Sequence, residues 1–85
     1  MIERTTTGDL IAIAMRRKGW ILPEAAARLE ITEKYLRDLL ADRLPVSAYV
    51  AVRLQQHLGV NAQLLLVGQV MAELQTAWEE YKQPA

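Results

Sequence analysis

The sequence predicts an all-α fold, a five-helix bundle forming one domain over residues 1–85. Three observations predict it. Leu supplies 13 and Ala 12 of the 85 residues, and both are strong helix formers. No alternating apolar–polar run of strand length occurs, and the β-branched residues are scattered. Cap-type residues, glycines and prolines divide the chain into stretches of helical length. No internal repeat, low-complexity tract or interdomain linker interrupts it.

The first helix is expected over residues 8–18. Thr7 is its N-cap, Asp9 lies in the first turn, and Arg16, Arg17 and Lys18 lie in the last, each charge opposing the nearer dipole end. Gly19 is the stop. Leu10, Ile13 and Ala14 form the expected apolar stripe, continued by the stem of Arg17. The second helix is expected over 23–29 with Pro23 at its first position, where no amide donor is needed. Ala26 and Leu29 face inward. Thr32 caps the third helix, which ends near Ala41 and buries Leu36, Leu39 and Leu40. Only Glu30, Ile31 and Thr32 separate the two.

Residues 42–46 form a loop, because Pro45 blocks helix continuation. Ser47 caps the fourth helix, which ends at His57 or Leu58. Val50, Ala51, Leu54 and Leu58 form its buried stripe, and Gly59 with Val60 supplies a glycine stop followed by an apolar residue. Asn61 caps the fifth and longest helix, expected over about 62–82. Its Leu64, Val67, Met71, Leu74, Trp78 and Tyr81 are spaced 3, 4, 3, 4 and 3, a heptad seam. Leu66, Val70 and Ala77 widen the seam, and Gln69, Glu73, Thr76 and Glu80 are expected opposite it. Residues 83–85 are expected to fray.

Composition narrows the chemistry. With no Cys and one His, the chain offers no disulfide, thiolate nucleophile or zinc site. His57 sits in a last helical turn, where a partly charged ring suits the dipole. There is no glycine-rich phosphate loop, Ser/His/Asp arrangement or credible carboxylate pair. The expectation is therefore a non-enzyme without a cofactor. No apolar run approaches a membrane span and no targeting segment is legible, so a soluble cytoplasmic protein is expected.

Ten Lys plus Arg balance ten Asp plus Glu, giving zero net charge, whereas nucleic-acid binders usually carry a basic excess. The balance is uneven along the chain. Residues 1–60 hold nine basic against seven acidic residues, and residues 61–85 hold one against three.

Two short helices joined by three residues have the spacing of a helix-turn-helix, over about residues 22–42. Ala26 is small where the helices cross, Ile31 plugs the turn, and Leu36, Leu39 and Leu40 seat the second helix. Thr32, Glu33, Lys34, Arg37 and Asp38 then face outward, where a major groove would be read. Arg37 suits guanine O6 and N7, and Lys34 a base or phosphate. The plainer reading is a solvated face with Glu33–Arg37 and Lys34–Asp38 pairs at i,i+4. Tyr35 either meets a sugar or thymine methyl, or packs on the fourth helix. Arg43 and Ser47 suit phosphate, Ser47 because a helix N-terminus presents free amides. Arg53 is a further candidate for the DNA backbone. Arg16, Arg17 and Lys18 are explained by the helix dipole.

The chain resembles the Cro/phage-repressor (XRE) helix-turn-helix family, and within it HigA-type antitoxins, over about residues 10–74. The resemblance rests on Ala26, Leu29, Glu30, Ile31 and Thr32, then on Leu36, Arg37, Asp38, Leu39 and Leu40. It continues through the loop Arg43, Leu44, Pro45, Val46, Ser47, through Ala51, Val52, Arg53, Leu54, and through Leu58, Gly59, Val60, Asn61 and Gln69. The resemblance implies a dimeric regulator of double-stranded DNA on a palindromic operator. It further implies an antitoxin that binds a toxin protein and represses its own operon. Three positions depart from the pattern. Leu22 stands where the family often has a phosphate-binding Gln, Glu30 where it has Gly, and Glu33 opens the recognition helix with a negative charge.

Two functions are thus expected to compete. In one, Thr32, Glu33, Lys34, Tyr35, Arg37, Asp38, Arg43, Ser47 and Arg53 bind DNA, and Leu64, Val67, Met71, Leu74, Trp78 and Tyr81 join two copies. In the other, the fifth helix docks a protein partner with little or no DNA binding.

Overall fold

A computed structural model of the chain describes residues 5–82. Its elements are α1 (Thr7–Lys18), α2 (Leu22–Leu29), α3 (Glu33–Leu40), α4 (Ala48–Leu58) and α5 (Ala62–Lys82), with no strand among the described residues. The expected all-α, five-helix architecture is what the chain adopts. Residues 83–85, expected to fray, lie outside the described residues.

α1 begins one residue earlier than expected. Thr6, not Thr7, is the N-cap. Its hydroxyl accepts from the Asp9 amide at 3.0 Å, and the Asp9 carboxylate accepts from the Thr6 amide at 3.1 Å. This reciprocal box requires an acid three residues after the cap, and Asp9 stands at that distance from Thr6 alone. The stripe shifts as well. Ile11, Ala14 and Met15 are buried, whereas Leu10 is partly exposed, Ile13 is half-buried and Arg17 is exposed. Gly19 ends the helix in the left-handed region, φ 71°.

α2 starts at Leu22, which puts Pro23 at the second position. That amide also lacks an intrahelical acceptor, so proline is equally tolerated. Ala25 is buried beside the expected Ala26 and Leu29. Glu30 closes α2 at φ 58°, ψ 42°, and a residue with a Cβ there costs roughly 1 kcal/mol or more relative to glycine. Thr32 caps α3 by accepting from the Tyr35 amide at 3.0 Å. Leu36 and Leu39 are fully enclosed, Leu40 is half-buried, and Ile31 packs on the core from the turn.

A side chain at Gly8 would run into the carbonyl groups of Leu39 and Leu40, so glycine permits α1 to cross the end of α3 closely. The same crossing is tied by Asp42, whose carboxylate accepts from the Gly8 amide at 2.9 Å. Asp42 itself is held at φ 58°.

α4 matches expectation throughout. Ser47 caps it, accepting from the Val50 amide at 3.2 Å, and Val50, Ala51, Leu54 and Leu58 are its buried residues. Gly59 stops it at φ 73°. Asn61 caps α5, accepting from the Leu64 amide at 2.9 Å.

α5 joins the bundle through a different face from the seam. Ala62, Leu65 and Leu66 pack on the core, and Leu65 is the only fully buried residue of this helix. Gln69, expected opposite the seam, is half-buried there and turned to the body. Its side-chain amide accepts from the Val46 amide at 2.7 Å and donates to the Val46 carbonyl at 2.9 Å. From residue 70 to 82 every residue is exposed, and the molecule is drawn out to 47 × 25 × 20 Å. No helix among the described residues is long and apolar enough to cross a membrane.

Candidate nucleic-acid interface

The short turn after α2 fixes the attitude of α3. Two contacts hold it. Ile31 fills the corner from within, and its amide donates to the Ala26 carbonyl at 3.0 Å. Arg53 closes the corner from α4. Its guanidinium donates to the carbonyls of Leu29 and Glu30, both at 3.1 Å, and to the Tyr49 hydroxyl at 2.9 Å. It also stacks 4.3 Å from the Tyr49 ring centroid and lies 3.8 Å from the Glu30 carboxylate. Carbonyls at a helix C-terminus carry partial negative charge, so a guanidinium is well matched to them. Three hydrogen bonds thus tie Arg53, expected on the DNA backbone, to the protein's own α2 carbonyls and Tyr49.

With α3 so seated, its helical geometry decides what faces solvent. Leu36 and Leu39 point into the core. At about 100° per residue, Lys34 lies nearly opposite them, with Arg37 and Asp38 on either flank. Glu33, Lys34 and Arg37 are exposed. The Glu33–Arg37 and Lys34–Asp38 pairs of the plainer reading do not form. Among the described residues, the ion pairs are Arg28–Glu24, Arg43–Asp38 and Arg53–Glu30. Lys34 and Arg37 are therefore exposed and form no ion pair with any described residue.

Asp38 is drawn out of the outward set. Its carboxylate accepts from Arg43 Nε at 3.0 Å, and its backbone carbonyl accepts from the Arg43 amide at 2.9 Å. The pair pins the start of the loop to the last turn of α3. Arg43 remains largely exposed at 64%, so its other guanidinium nitrogens face solvent. Ser47 is exposed, and its hydroxyl caps α4. Thr32 is exposed with its oxygen turned to the Tyr35 amide. Tyr35 is half-buried and packs against the core. His57 is exposed at the end of α4.

The structure thus gathers Lys34, Arg37 and Glu33 on one convex helix face, with Arg43 tethered to its end. It assigns Arg53 and Asp38 to holding that face. Sequence reasoning passed over Tyr49, Gln69 and Asp42 as parts of this framework. Their partners stand 4, 23 and 34 residues away, and only the first separation carries a helical signature. It also passed over Arg28, which stacks 4.9 Å from the Trp20 ring centroid beside α2.

The second set of candidates, Leu64, Val67, Met71, Leu74, Trp78 and Tyr81, forms an exposed seam along α5. Trp78 and Tyr81 meet edge to face, with centroids 6.0 Å apart. No metal-binding cluster of His, Cys, Asp or Glu occurs among the described residues. No model of a known protein family matches the chain, and no curated protein matches it.

Proposed function

We propose that the chain is a sequence-specific, double-stranded DNA-binding regulator that acts as a homodimer and represses transcription from a palindromic operator. In this reading α2, the turn and α3 form a helix-turn-helix, and α3 enters the major groove. One observation carries the reading. Lys34 and Arg37, without an ion pair among the described residues, stand on the exposed side of a short helix whose other side is locked into the core. Arg37 is suited to a guanine edge and Lys34 to a base or phosphate. Arg43, with the amides at the start of α4, supplies contacts to the DNA backbone. The resemblance to HigA-type antitoxins adds a toxin protein as a further partner.

The seam of α5 favours a second reading, a protein-interaction module that leaves DNA alone. Zero net charge agrees with it, since few phosphates can be neutralised. One experiment separates the two. Binding to random duplex and to a selected site is measured at two salt concentrations, for wild type and for Lys34→Ala/Arg37→Ala. The DNA reading expects weak random binding, a specific site bound more tightly, and at least about a tenfold loss in the double variant. No binding at low salt, or equal binding by the variant, leaves the interaction module standing.

A further inference from the structure

We propose that Asp38 is a positioning residue, which holds the Arg43 guanidinium as a ready-made fork for a DNA phosphate. Its negative charge then strengthens the binding of a polyanion. This inference deepens the DNA-binding reading above and rests on it.

The turn that ends α3 brings the two residues together through the backbone. Ala41 is the C-cap, and Asp42 after it is left-handed at φ 58°. The Asp42 amide donates to the Leu39 carbonyl at 3.1 Å, and the Arg43 amide donates to the Asp38 carbonyl at 2.9 Å. These two bonds make a Schellman motif, in which the second residue past the cap returns to the third from the helix end. The side chains at those two places meet, and their contact is frequently apolar. Here it is an ion pair, with Arg43 Nε donating to Asp38 Oδ1 at 3.0 Å. An apolar contact would close the turn as well, so closure alone does not call for charge. What the charged pair adds is direction.

The bond to Nε fixes the guanidinium at its inner nitrogen. The Asp38 side chain is 20% exposed and that of Arg43 is 64% exposed, so the carboxylate sits inboard and the two Nη groups face solvent beyond it. A planar guanidinium held in this way presents parallel N–H donors that match two phosphate oxygens. The turn itself is restrained from a third side, since the Asp42 carboxylate accepts from the Gly8 amide at 2.9 Å. Asp38 follows Lys34 by four residues, about one helical turn, so the fork prolongs the face that carries Lys34 and Arg37.

The carboxylate has two opposed effects on a phosphate. Its charge repels, and its hold on Arg43 prepares a ligand. The repulsion is small, because the guanidinium stands between carboxylate and solvent and the pair acts as a dipole with its positive end outward. The preparation is larger. An arginine left to itself loses its rotamer freedom when it binds, which costs about two- to tenfold in affinity for each side chain immobilised. Asp38 meets that cost before DNA arrives.

The test uses Asp38→Asn, which keeps the shape and removes the charge. Wild type, Asp38→Asn, Arg43→Ala and the double variant are titrated by fluorescence anisotropy against a random-sequence duplex and against the duplex that wild type selects most tightly. Asp38→Asn is expected to weaken both by about two- to tenfold, although it makes the chain more positive. Arg43→Ala is expected to weaken both at least as much, and to lower the slope of log affinity against log salt by about 0.9 per copy, one phosphate contact. With Arg43 already removed, Asp38→Asn is expected to leave affinity unchanged or raise it. That change of sign separates positioning from a merely structural role, because damage to the turn would weaken binding in either background. Asp38→Asn binding as tightly as wild type or tighter overturns the proposal. So does equal weakening in both backgrounds, or an unchanged salt slope in Arg43→Ala. If wild type binds neither duplex at low salt, the DNA-binding reading itself falls and takes this inference with it.

Discussion

Residues 7–58 and α5 use their apolar side chains in opposite ways. All the fully buried hydrophobic residues lie in the first region except Leu65, the sole contribution of α5. The exposed large hydrophobics of the first region are scattered over Leu10, Ile21, Leu44, Tyr49 and Val52. In α5 they number seven and align on one side. Scattered apolar exposure is ordinary on a protein surface, whereas an aligned stripe marks a surface meant to be covered. The four-helix body thus completes its own core, and α5 is attached to it mainly by Leu65, its neighbours and the Gln69 contacts.

The sharpest way to break this comparison is to truncate one leucine from each region. Leu36→Ala opens a cavity in a core with no exposed side, and is expected to cost about 2–5 kcal/mol in urea unfolding. Leu74→Ala removes the same atoms from a side chain 47% exposed, and is expected to change stability by less than about 0.5 kcal/mol in dilute protein. Equal losses at a concentration where the chain is monomeric would show that α5 shares the core after all.

The junction between the regions is the next test. Gln69→Leu keeps the side-chain volume but strips partners from both the amide and the carbonyl of Val46, a residue only 2% exposed. A loss of about 1–3 kcal/mol is expected, read as a lower urea midpoint with unchanged helix content. No loss would mean that the loop after α3 does not depend on α5.

The smallest effect runs the other way. Glu30→Gly relieves a left-handed residue at the end of α2 and gives up only an exposed 3.8 Å pair with Arg53, which is worth little. A gain of about 0.5–1 kcal/mol is expected, a rise of a few degrees in Tm. A lower Tm would show that the Glu30 carboxylate matters more to the turn than its backbone strain.

The contrast between the regions was only half legible from sequence. α4 could be read in full, because its cap, stop and i,i+3/i+4 stripe agree with one another. The phase of α1 could not. Residues 10–15 are all apolar, so periodicity does not say which of them turn inward, and Ile11 with Met15 took the place expected for Leu10 and Ile13. The seam of α5 was legible as a period. Its relation to the body was not, since Leu65 and Gln69 are singled out by neighbours far along the chain. For the candidate DNA face, the exposure of Lys34 and Arg37 followed from the leucines behind them. The diversion of Asp38 to Arg43 and of Arg53 to the α2 carbonyls did not, because each depends on where a loop or a turn comes to rest.

The bond from the Gly8 amide to Asp42 changes what unravelling can mean in this chain. The first turn of a helix is ordinarily the place where it frays without consequence. Here that turn is stapled across 34 residues to the loop that carries Arg43. Opening either end frees the other, so the two behave as one cooperative unit. Local melting at the start of α1 thereby becomes a loss of order at the edge of the face proposed to meet DNA.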